Sequence, residues 1–223
     1  MLITKKVPQK VNLVLKLSRS FSTAANVVQI DFKELMEHSK SLFPKIEEAY
    51  SEDGIGLMVV NNLPGYVEKR KKLLPFAQRL AMLDKKTLDS LECPEKFYSV
   101  GWSHGKEKFM GKPDMLKGSY YCNPINDEFD MENSKGEVTH FSNLWPKPGQ
   151  IDGLEEAFKD LGSFINSIGI EIAKSLDMYV KSRLKGYKDG LIHKHLKESL
   201  RPTGRLLHYF PVTTDIDITN MKW

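Results

Sequence analysis

The sequence has few cysteines and no long apolar run. Cys93 and Cys122 are its only cysteines, and no Cys-x-x-Cys metal motif occurs. We expect each thiol to pack as a small apolar residue or to stay free. No apolar stretch approaches the ~20 residues that a membrane-spanning helix requires. Internal repeats and low-complexity segments are lacking as well, so the 223 residues are predicted to form one substantial globular core.

Acidic residues are missing from the first 30 positions, and the first acidic residue is Asp31. The segment before it contains five basic residues, namely Lys5, Lys6, Lys10, Lys16 and Arg19. The whole chain has a formal charge of +4, so the remainder without these five charges carries −1. A basic surface for nucleic acid would depend on the first segment alone, and we therefore expect no nucleic-acid partner.

This first segment has the composition of a mitochondrial transit peptide, because it is basic, amphipathic and rich in hydroxyl side chains. Lys16 and Arg19 interrupt its apolar residues, whereas a secretory signal would need a continuous apolar stretch. Residues 1–26 are predicted to be a transit peptide cleaved between Ser22 and Asn26, which would place the protein in the mitochondrial matrix. A disordered basic tail on a cytoplasmic protein is the alternative.

Short strands and amphipathic helices alternate along the first part of the remaining chain. A β-branched run at 27–32 predicts a strand, and Asp31 at its end is a suitable cap for the next helix. Apolar residues then recur at intervals of three and four, which predicts one helix over 32–49. The apolar run 55–62 predicts a buried strand. Two further helices are predicted after the break at 63–65, the second of them over about 86–92.

The longest periodic pattern begins at Leu154. Apolar residues step by three and four from Leu154 to Leu176, through more than six turns of helix. Gly162 and Gly169 weaken the helix propensity and are expected to permit close packing. This helix is predicted to be a scaffold, and it is followed by the strand-like run at 205–211.

The order of these segments resembles the amino-terminal part of the isopenicillin N synthase-like non-haem oxygenases. The likeness is carried by Asp31-x-x-x-Leu35, by a Gly-led strand ending in Asn61-Asn62, by the turn, Lys-Pro-Asp segment and aromatic strand within 98–124, and by Asn143-Leu-Trp-Pro before a long helix. These segments follow one another in the family's order from about residue 28 to 211.

The resemblance implies an α+β fold whose long helix backs a double-stranded β-helix, or jelly-roll, with the barrel incomplete. Residues 27–150 would be the non-haem dioxygenase N-terminal region, and residues 151–223 the long helix and first strands of the jelly-roll domain. For an intact family member the resemblance implies Fe(II), 2-oxoglutarate and a small organic substrate. Members that use no 2-oxoglutarate leave that co-substrate open.

The family's metal-binding motif is lacking. Its iron is held by a His-x-Asp or His-x-Glu motif and a distal histidine near an Arg-x-Ser, which together leave open positions on the metal. None of the six histidines starts such a motif, and no Arg-x-Ser occurs. The sequence therefore predicts a chain truncated before the metal-binding motif, with no catalytic residue and no metal ligand, which by itself is inactive and binds no iron.

The remaining histidines and aromatic residues have plain structural interpretations. His193 and His195 are flanked by lysines and are expected on a solvated helix face rather than on a metal. His104 is expected in a turn. Trp102, Tyr120 and Tyr121 are expected in the core or in the wall of a cavity.

His208 and Phe210 are the candidate residues of a co-substrate or substrate cavity. Alternation along the strand places Leu206, His208 and Phe210 on one face. The resemblance implies that polar or aromatic side chains on this strand contact co-substrate or substrate. A hydrogen-bonded histidine of the barrel is the alternative for His208.

Two functions are consistent with these patterns. The first is the N-terminal part of a non-haem Fe(II) oxygenase that oxidises a small organic substrate. The second is a non-catalytic fragment that acts as a binding or structural protein in mitochondria. The second is disfavoured because such a fragment would expose unpaired strand edges and a large apolar patch.

Overall fold

The computed structural model describes residues 27–109 and 111–211. The predicted transit peptide at 1–26 and the end of the chain after residue 211 lie outside the described residues. Within the described residues, no helix has both the length and the apolar character required to cross a membrane.

The described residues form a mixed α and β fold. The helices are α1 (Phe32–Glu37), α2 (Phe43–Tyr50), α3 (Tyr66–Leu73), α4 (Pro75–Ala81), α5 (Lys85–Ser90), α6 (Leu154–Arg183) and α7 (Leu191–Glu198), with short 3₁₀ turns at Lys40–Leu42 and Pro94–Lys96. The strands are β1 (Val28–Asp31), β2 (Met58–Asn61), β3 (Gly101–His104), β4 (Lys108–Phe109), β5 (Lys112–Pro113), β6 (Lys117–Cys122), β7 (Glu128–Glu132), β8 (Val138–Ser142) and β9 (Gly204–Tyr209).

Strands β1 and β2 pair in parallel, with Val28 opposite Met58. Parallel strands need a crossover connection, and α1 and α2 provide it. Asp31 caps α1 as the sequence predicts, because its Oδ1 accepts a hydrogen bond from the Lys33 amide at 2.8 Å. Ile30 and neighbouring apolar side chains pack against Ile168 of α6 in a small core.

The single helix predicted for 32–49 is wrong, because the chain turns at His38. This residue has a left-handed backbone with φ of 46°, and its amide bonds to the Leu35 carbonyl to end α1. Its ring is held at 2.8 Å from a Glu171 carboxylate oxygen and 3.1 Å from the Ser175 hydroxyl, both on α6. The helix then restarts at α2, which has a proline in its first turn.

Helix α6 is confirmed as a single helix of 30 residues and runs past both halves of the core. Leu154, Phe158 and Leu161 near its start pack in the larger core, against α4 and the central sheet. Ile168 belongs to the smaller core beside β1. The helix therefore joins the two parts of the molecule and has the scaffold position that its periodicity predicts.

The central sheet is three-stranded, in the order β3-β6-β9, and both pairs are antiparallel. Strand β9 confirms the strand predicted near 205–211. Leu206 pairs with Tyr120, and Tyr120 pairs with Trp102. The remaining strands of the described ranges form two-stranded sheets, and none of these sheets closes into a barrel.

The Asn-x-Trp-Pro segment fastens the chain between the central sheet and α6. The Asn143 side chain accepts a hydrogen bond from the Asn123 amide and donates to the Asn123 carbonyl, both at 2.8 Å. Trp145 donates its indole N–H to Asp127 at 2.9 Å. Burial alone would raise the pKa of Asp127, but hydrogen bonds from Lys159, Trp145 and Asn143 outweigh it and lower the pKa. The segment that carries the resemblance therefore has a structural role.

Candidate functional site: the two sides of the central sheet

The central sheet has a helix-facing side that includes Trp102, Tyr120 and Leu206, all buried. Tyr120 is fully buried and packs edge-on against Phe158 of α6, with ring centroids 6.1 Å apart. Its hydroxyl donates to the Leu144 carbonyl at 2.6 Å. Burial raises the pKa of Tyr120 well above its usual value, so this hydroxyl stays protonated. These aromatic side chains are core, as the sequence analysis expected for Trp102 and Tyr120.

His104, Gly118 and His208 form the next row on the helix-facing side. Gly118 pairs with His104 on one neighbouring strand and with His208 on the other. The indole of Trp102 covers Gly118 so closely that a Cβ there would overlap Trp102 Cη2. His104 ends strand β3, so its prediction as a turn residue is wrong. Only glycine fits at position 118 between the two histidines.

Phe210 packs between the two imidazoles. Its ring stacks on His104 at 4.6 Å and meets His208 edge-on at 4.8 Å. His208 Nε2 is buried and has no hydrogen-bond partner within the described residues. The structure thus brings His208 and Phe210 together, on the side of the sheet that contacts the helices. Their contact with a co-substrate or substrate remains a prediction.

The opposite side of the sheet is polar and more open. By register it carries Lys117, Ser119 and Tyr121 from β6, and Arg205, Leu207 and Tyr209 from β9. Tyr209 is 67% exposed, whereas Ser119 is buried beneath the guanidinium of Arg205. Arg205 donates to the Ser119 hydroxyl from Nη2 at 2.8 Å and from Nε at 3.2 Å. Its guanidinium also lies over the Tyr121 ring, 5.0 Å from the centroid.

One carboxylate on this opposite side accepts hydrogen bonds from three side chains. Glu107 Oε2 accepts from Lys117 Nζ at 2.7 Å, and Oε1 accepts from Arg205 Nη2 at 3.0 Å and from the Tyr121 hydroxyl at 3.3 Å. The hydrogen bond from Lys117 is the largest cause that lowers the pKa of Glu107, and the Arg205 charge adds to it. The same bond raises the pKa of Lys117. We name Lys117, Ser119, Tyr121 and Arg205 the carboxylate-binding cluster.

Two of the concave regions on the described surface lie beside elements already described. One, of about 150 Å³, is lined by apolar side chains that include Val100, Phe129 and Phe141, together with Tyr121 and Arg201. The other, of about 360 Å³, lies beside Asp31 and Asn62 at the start of α1. Asn62 already donates to Asp31 there, at 2.5 Å, so this larger concavity surrounds a satisfied helix cap. The smaller cleft shares Tyr121 with the carboxylate-binding cluster and is the better candidate for a ligand.

The described residues do not fit an iron site of the facial-triad type. Nowhere in 27–109 and 111–211 do three His, Cys, Asp or Glu side chains gather closely enough to hold a metal. His193 and His195 lie on α7, as the prediction of a helix face requires. The amide of His193 donates to Asp177 at 2.8 Å. We therefore assign no chemical step to a metal held by these residues.

Both cysteines are buried and free, which confirms their prediction as small apolar side chains. Burial raises the pKa of Cys122 to about 12 and that of Cys93 to about 11. The thiolate is the reactive form, so neither side chain is suited to nucleophilic catalysis at neutral pH.

Comparison with solved structures shows a likeness in fold at low sequence identity. A C-terminally truncated Neurospora crassa protein, in apo form, gives a TM-score of 0.55 at 16% sequence identity over 84% of this chain and 64% of that chain. A Caulobacter crescentus protein named as a candidate 2OG-Fe(II) oxygenase gives 0.50 at 16% identity over 87% of this chain and 59% of that chain. The full-length Neurospora crassa protein in complex with alpha-KG gives 0.48 at 16% identity, over 69% and 47%.

The chain therefore spans about half to two thirds of the length of these structures. No family model matches the sequence, and no curated protein matches it. At this identity the likeness shows the fold alone, and one of the two structures with a TM-score of at least 0.50 is named as a candidate 2OG-Fe(II) oxygenase.

Sequence reasoning missed the carboxylate-binding cluster. Alternation does separate Arg205 from His208, but it does not reveal which face of the strand contacts helices. Glu107 lies 98 residues from Arg205 in the chain, so no local pattern links them. The run Lys117-Gly-Ser-Tyr-Tyr, which alternates polar side chains with small or aromatic ones, was the one signal available.

Proposed function

We propose that this chain is the amino-terminal part of a non-haem Fe(II), 2-oxoglutarate-dependent oxygenase that oxidises a small organic substrate. The observation that supports the proposal is the likeness in fold to two solved structures with TM-scores of 0.55 and 0.50, one of them named as a candidate 2OG-Fe(II) oxygenase. The order of segments in the sequence, which resembles the isopenicillin N synthase-like oxygenases, supports it independently.

In this proposal, the described residues are the scaffold of the enzyme. Helix α6 backs the central sheet, and β9 is an early strand of the jelly-roll that further strands would complete. The facial triad and the Arg-x-Ser would come from residues beyond the present 223. Bound iron would supply oxygen activation, while this chain would position the wall of the cavity.

His208 and Phe210 are the cavity residues of the proposal, and a cavity that they line would lie on the helix-facing side of the central sheet. The buried Nε2 of His208, which lacks a partner within the described part of the chain, is a group that a ligand or a further strand could satisfy. The test is His208→Ala in a full-length form. An unchanged affinity for 2-oxoglutarate and for substrate would contradict a cavity role.

The mitochondrial location is a proposal based on residues 1–26. A fusion of these residues to a fluorescent protein should enter mitochondria and be cleaved near residues 22–26. A matched fusion in which Lys16 and Arg19 are replaced by Glu should stay in the cytosol. Retention of the unaltered fusion in the cytosol would contradict the proposal.

The coding sequence provides the most economical test of the oxygenase assignment. Reading the transcript beyond the Trp223 codon should reveal His-x-Asp or His-x-Glu, then a distal histidine with Arg-x-Ser. A stop codon in the mature transcript, together with a product that binds no iron, would contradict the assignment. That result would favour a non-catalytic binding or structural protein.

A further inference from the structure

We infer that Lys117, Tyr121 and Arg205 form a receptor for the carboxylate of a small-molecule ligand, and that the side chain of Glu107 occupies this receptor in the ligand-free chain. The inference deepens the proposed oxygenase function and rests on it for the choice of a small-molecule ligand. The geometry of the central sheet carries the site itself.

The first argument is that the donors are prearranged by the sheet. Lys117, Tyr121 and Arg205 project from two paired strands onto the same side, and Tyr121 lies directly opposite Arg205 in the register. The guanidinium is fixed by two hydrogen bonds to the Ser119 hydroxyl and by the Tyr121 ring beneath it. An arginine whose orientation is fixed in this way loses little freedom when it binds a carboxylate.

The second argument is that a carboxylate, that of Glu107, already occupies the receptor. Three donors converge on Glu107, with both of its oxygens engaged. Glu107 is exposed and lies in the connection after β3, outside the ladder of the central sheet. Rotation of its side chain would vacate the receptor without breaking a backbone hydrogen bond. The carboxylate of a ligand would then meet two cationic groups and a hydroxyl.

The third argument concerns the space beside the receptor. Tyr121 also lines the cleft of about 150 Å³, whose walls include Val100, Phe129 and Phe141. This volume corresponds to about five water molecules at ~30 Å³ each. A short alkyl chain or one aromatic ring would fill it. The ligand class is therefore a small carboxylic acid with an apolar body.

The side chain of Glu107 acts as an internal competitor. A ligand binds only the fraction of molecules in which the receptor is vacant, so occupancy by Glu107 lowers the apparent affinity in proportion. If Glu107 occupies the receptor nine times in ten, its removal raises the affinity about tenfold. Asp114, which lies 3.7 Å from Lys117, would remain as a weaker acidic neighbour.

The experiment uses the 223-residue chain and two probes, benzoate and 2-oxoglutarate, with benzamide as an uncharged match for benzoate. Binding is followed by NMR through the backbone amide resonances of Ser119 and Tyr121, which every variant retains. Glu107→Gln should bind at least one acid about tenfold more tightly than the wild type. Glu137→Gln removes the same charge from the exposed β7–β8 hairpin and should change nothing. The double variant Glu107→Gln, Arg205→Gln should lose the binding.

Each possible outcome either supports or contradicts the inference. Stronger binding of benzoate than of 2-oxoglutarate supports an acid with an apolar body, whereas the reverse order would contradict that ligand class. Equal affinity in wild type and Glu107→Gln, binding of benzamide as strong as that of benzoate, or binding that survives the loss of Arg205 would overturn it. These titrations contain no iron, so a negative result would not contradict the oxygenase assignment. The coding sequence tests that assignment separately.

Discussion

Gly162 of α6 lies directly against Pro124, the second residue after strand β6. A Cβ at position 162 would overlap the Cβ of Pro124, closer than carbon atoms can approach. The long helix therefore reaches the end of the central sheet at a position where a side chain would separate them. Gly169, two turns further along the same helix, has no such neighbour, since the nearest atom to its built Cβ is a Leu196 methyl carbon at 3.9 Å.

Replacement by alanine is predicted to have opposite effects on stability at these two glycines. Gly162→Ala should lower the free energy of unfolding by about 1–3 kcal/mol, because the added methyl group forces the helix away from Pro124. Gly169→Ala should raise it by up to about 1 kcal/mol, because alanine is the better helix former. Urea unfolding followed by circular dichroism measures both. Equal effects of the two substitutions would contradict the close contact at Pro124.

Asp177 is predicted to hold α7 in place. It is buried on α6 and accepts hydrogen bonds from the Ile192 amide at 3.0 Å, the His193 amide at 2.8 Å and the Tyr187 hydroxyl. Asp177→Asn should cost about 1–3 kcal/mol, because the amide cannot satisfy all three donors. Asp189→Asn is the matched control. It removes an exposed pair with Lys181 and should cost less than about 1 kcal/mol.

The contribution of Asp177 should depend on pH. Burial alone would raise its pKa, but the hydrogen bonds from Tyr187, His193 and Ile192 outweigh burial and lower the pKa. Because the folded-state pKa lies below the unfolded value of about 3.9, the stabilisation is complete above about pH 4. It is lost as the pH falls through the folded-state pKa. The wild type and Asp177→Asn should therefore converge in stability in acid, and a constant difference down to about pH 2 would contradict this role.

The hydrogen bonds of the Asn143 side chain are predicted to contribute strongly to stability. Asn143→Ala removes hydrogen bonds to both backbone groups of Asn123 and to Asp127. Because Asn123 is buried, its amide and carbonyl would be left without partners, at a cost of about 2–3 kcal/mol. Asn166→Ala, within α6, serves as the control and should leave stability unchanged or raise it slightly. If Asn143→Ala lowers the free energy of unfolding by less than about 0.5 kcal/mol, this structural role is contradicted.

Thiol reactivity tests the packing of the cores. Cys93 and Cys122 are the only cysteines of the sequence, and both are buried with a raised pKa. In the folded protein at neutral pH, neither should react with an aromatic disulfide reagent within minutes, and both should react at once in denaturant. Fast reaction of one thiol in the folded protein would show that its core is open. Single Cys→Ser variants assign the signal.

The sequence predicts the elements whose determinants are local. The period of apolar residues predicts α6, alternation predicts β9, and the acid before Phe32 predicts the cap at Asp31. The break after α1 was not predicted, because the left-handed His38 is held by Glu171 and Ser175, more than 130 residues away. The cluster around Arg205 was missed for the same reason, since strand pairing rather than sequence order brings Glu107 to it.

Iron and co-substrate binding by the full-length protein tests the central claim most directly. Equilibrium dialysis should detect one Fe(II) and one 2-oxoglutarate per chain in a form that extends beyond residue 223, and no tightly bound iron in the 223-residue chain. That difference would match a scaffold whose metal ligands lie further along the polypeptide. A full-length protein that binds neither, or a 223-residue chain that binds Fe(II) one to one, would contradict the account.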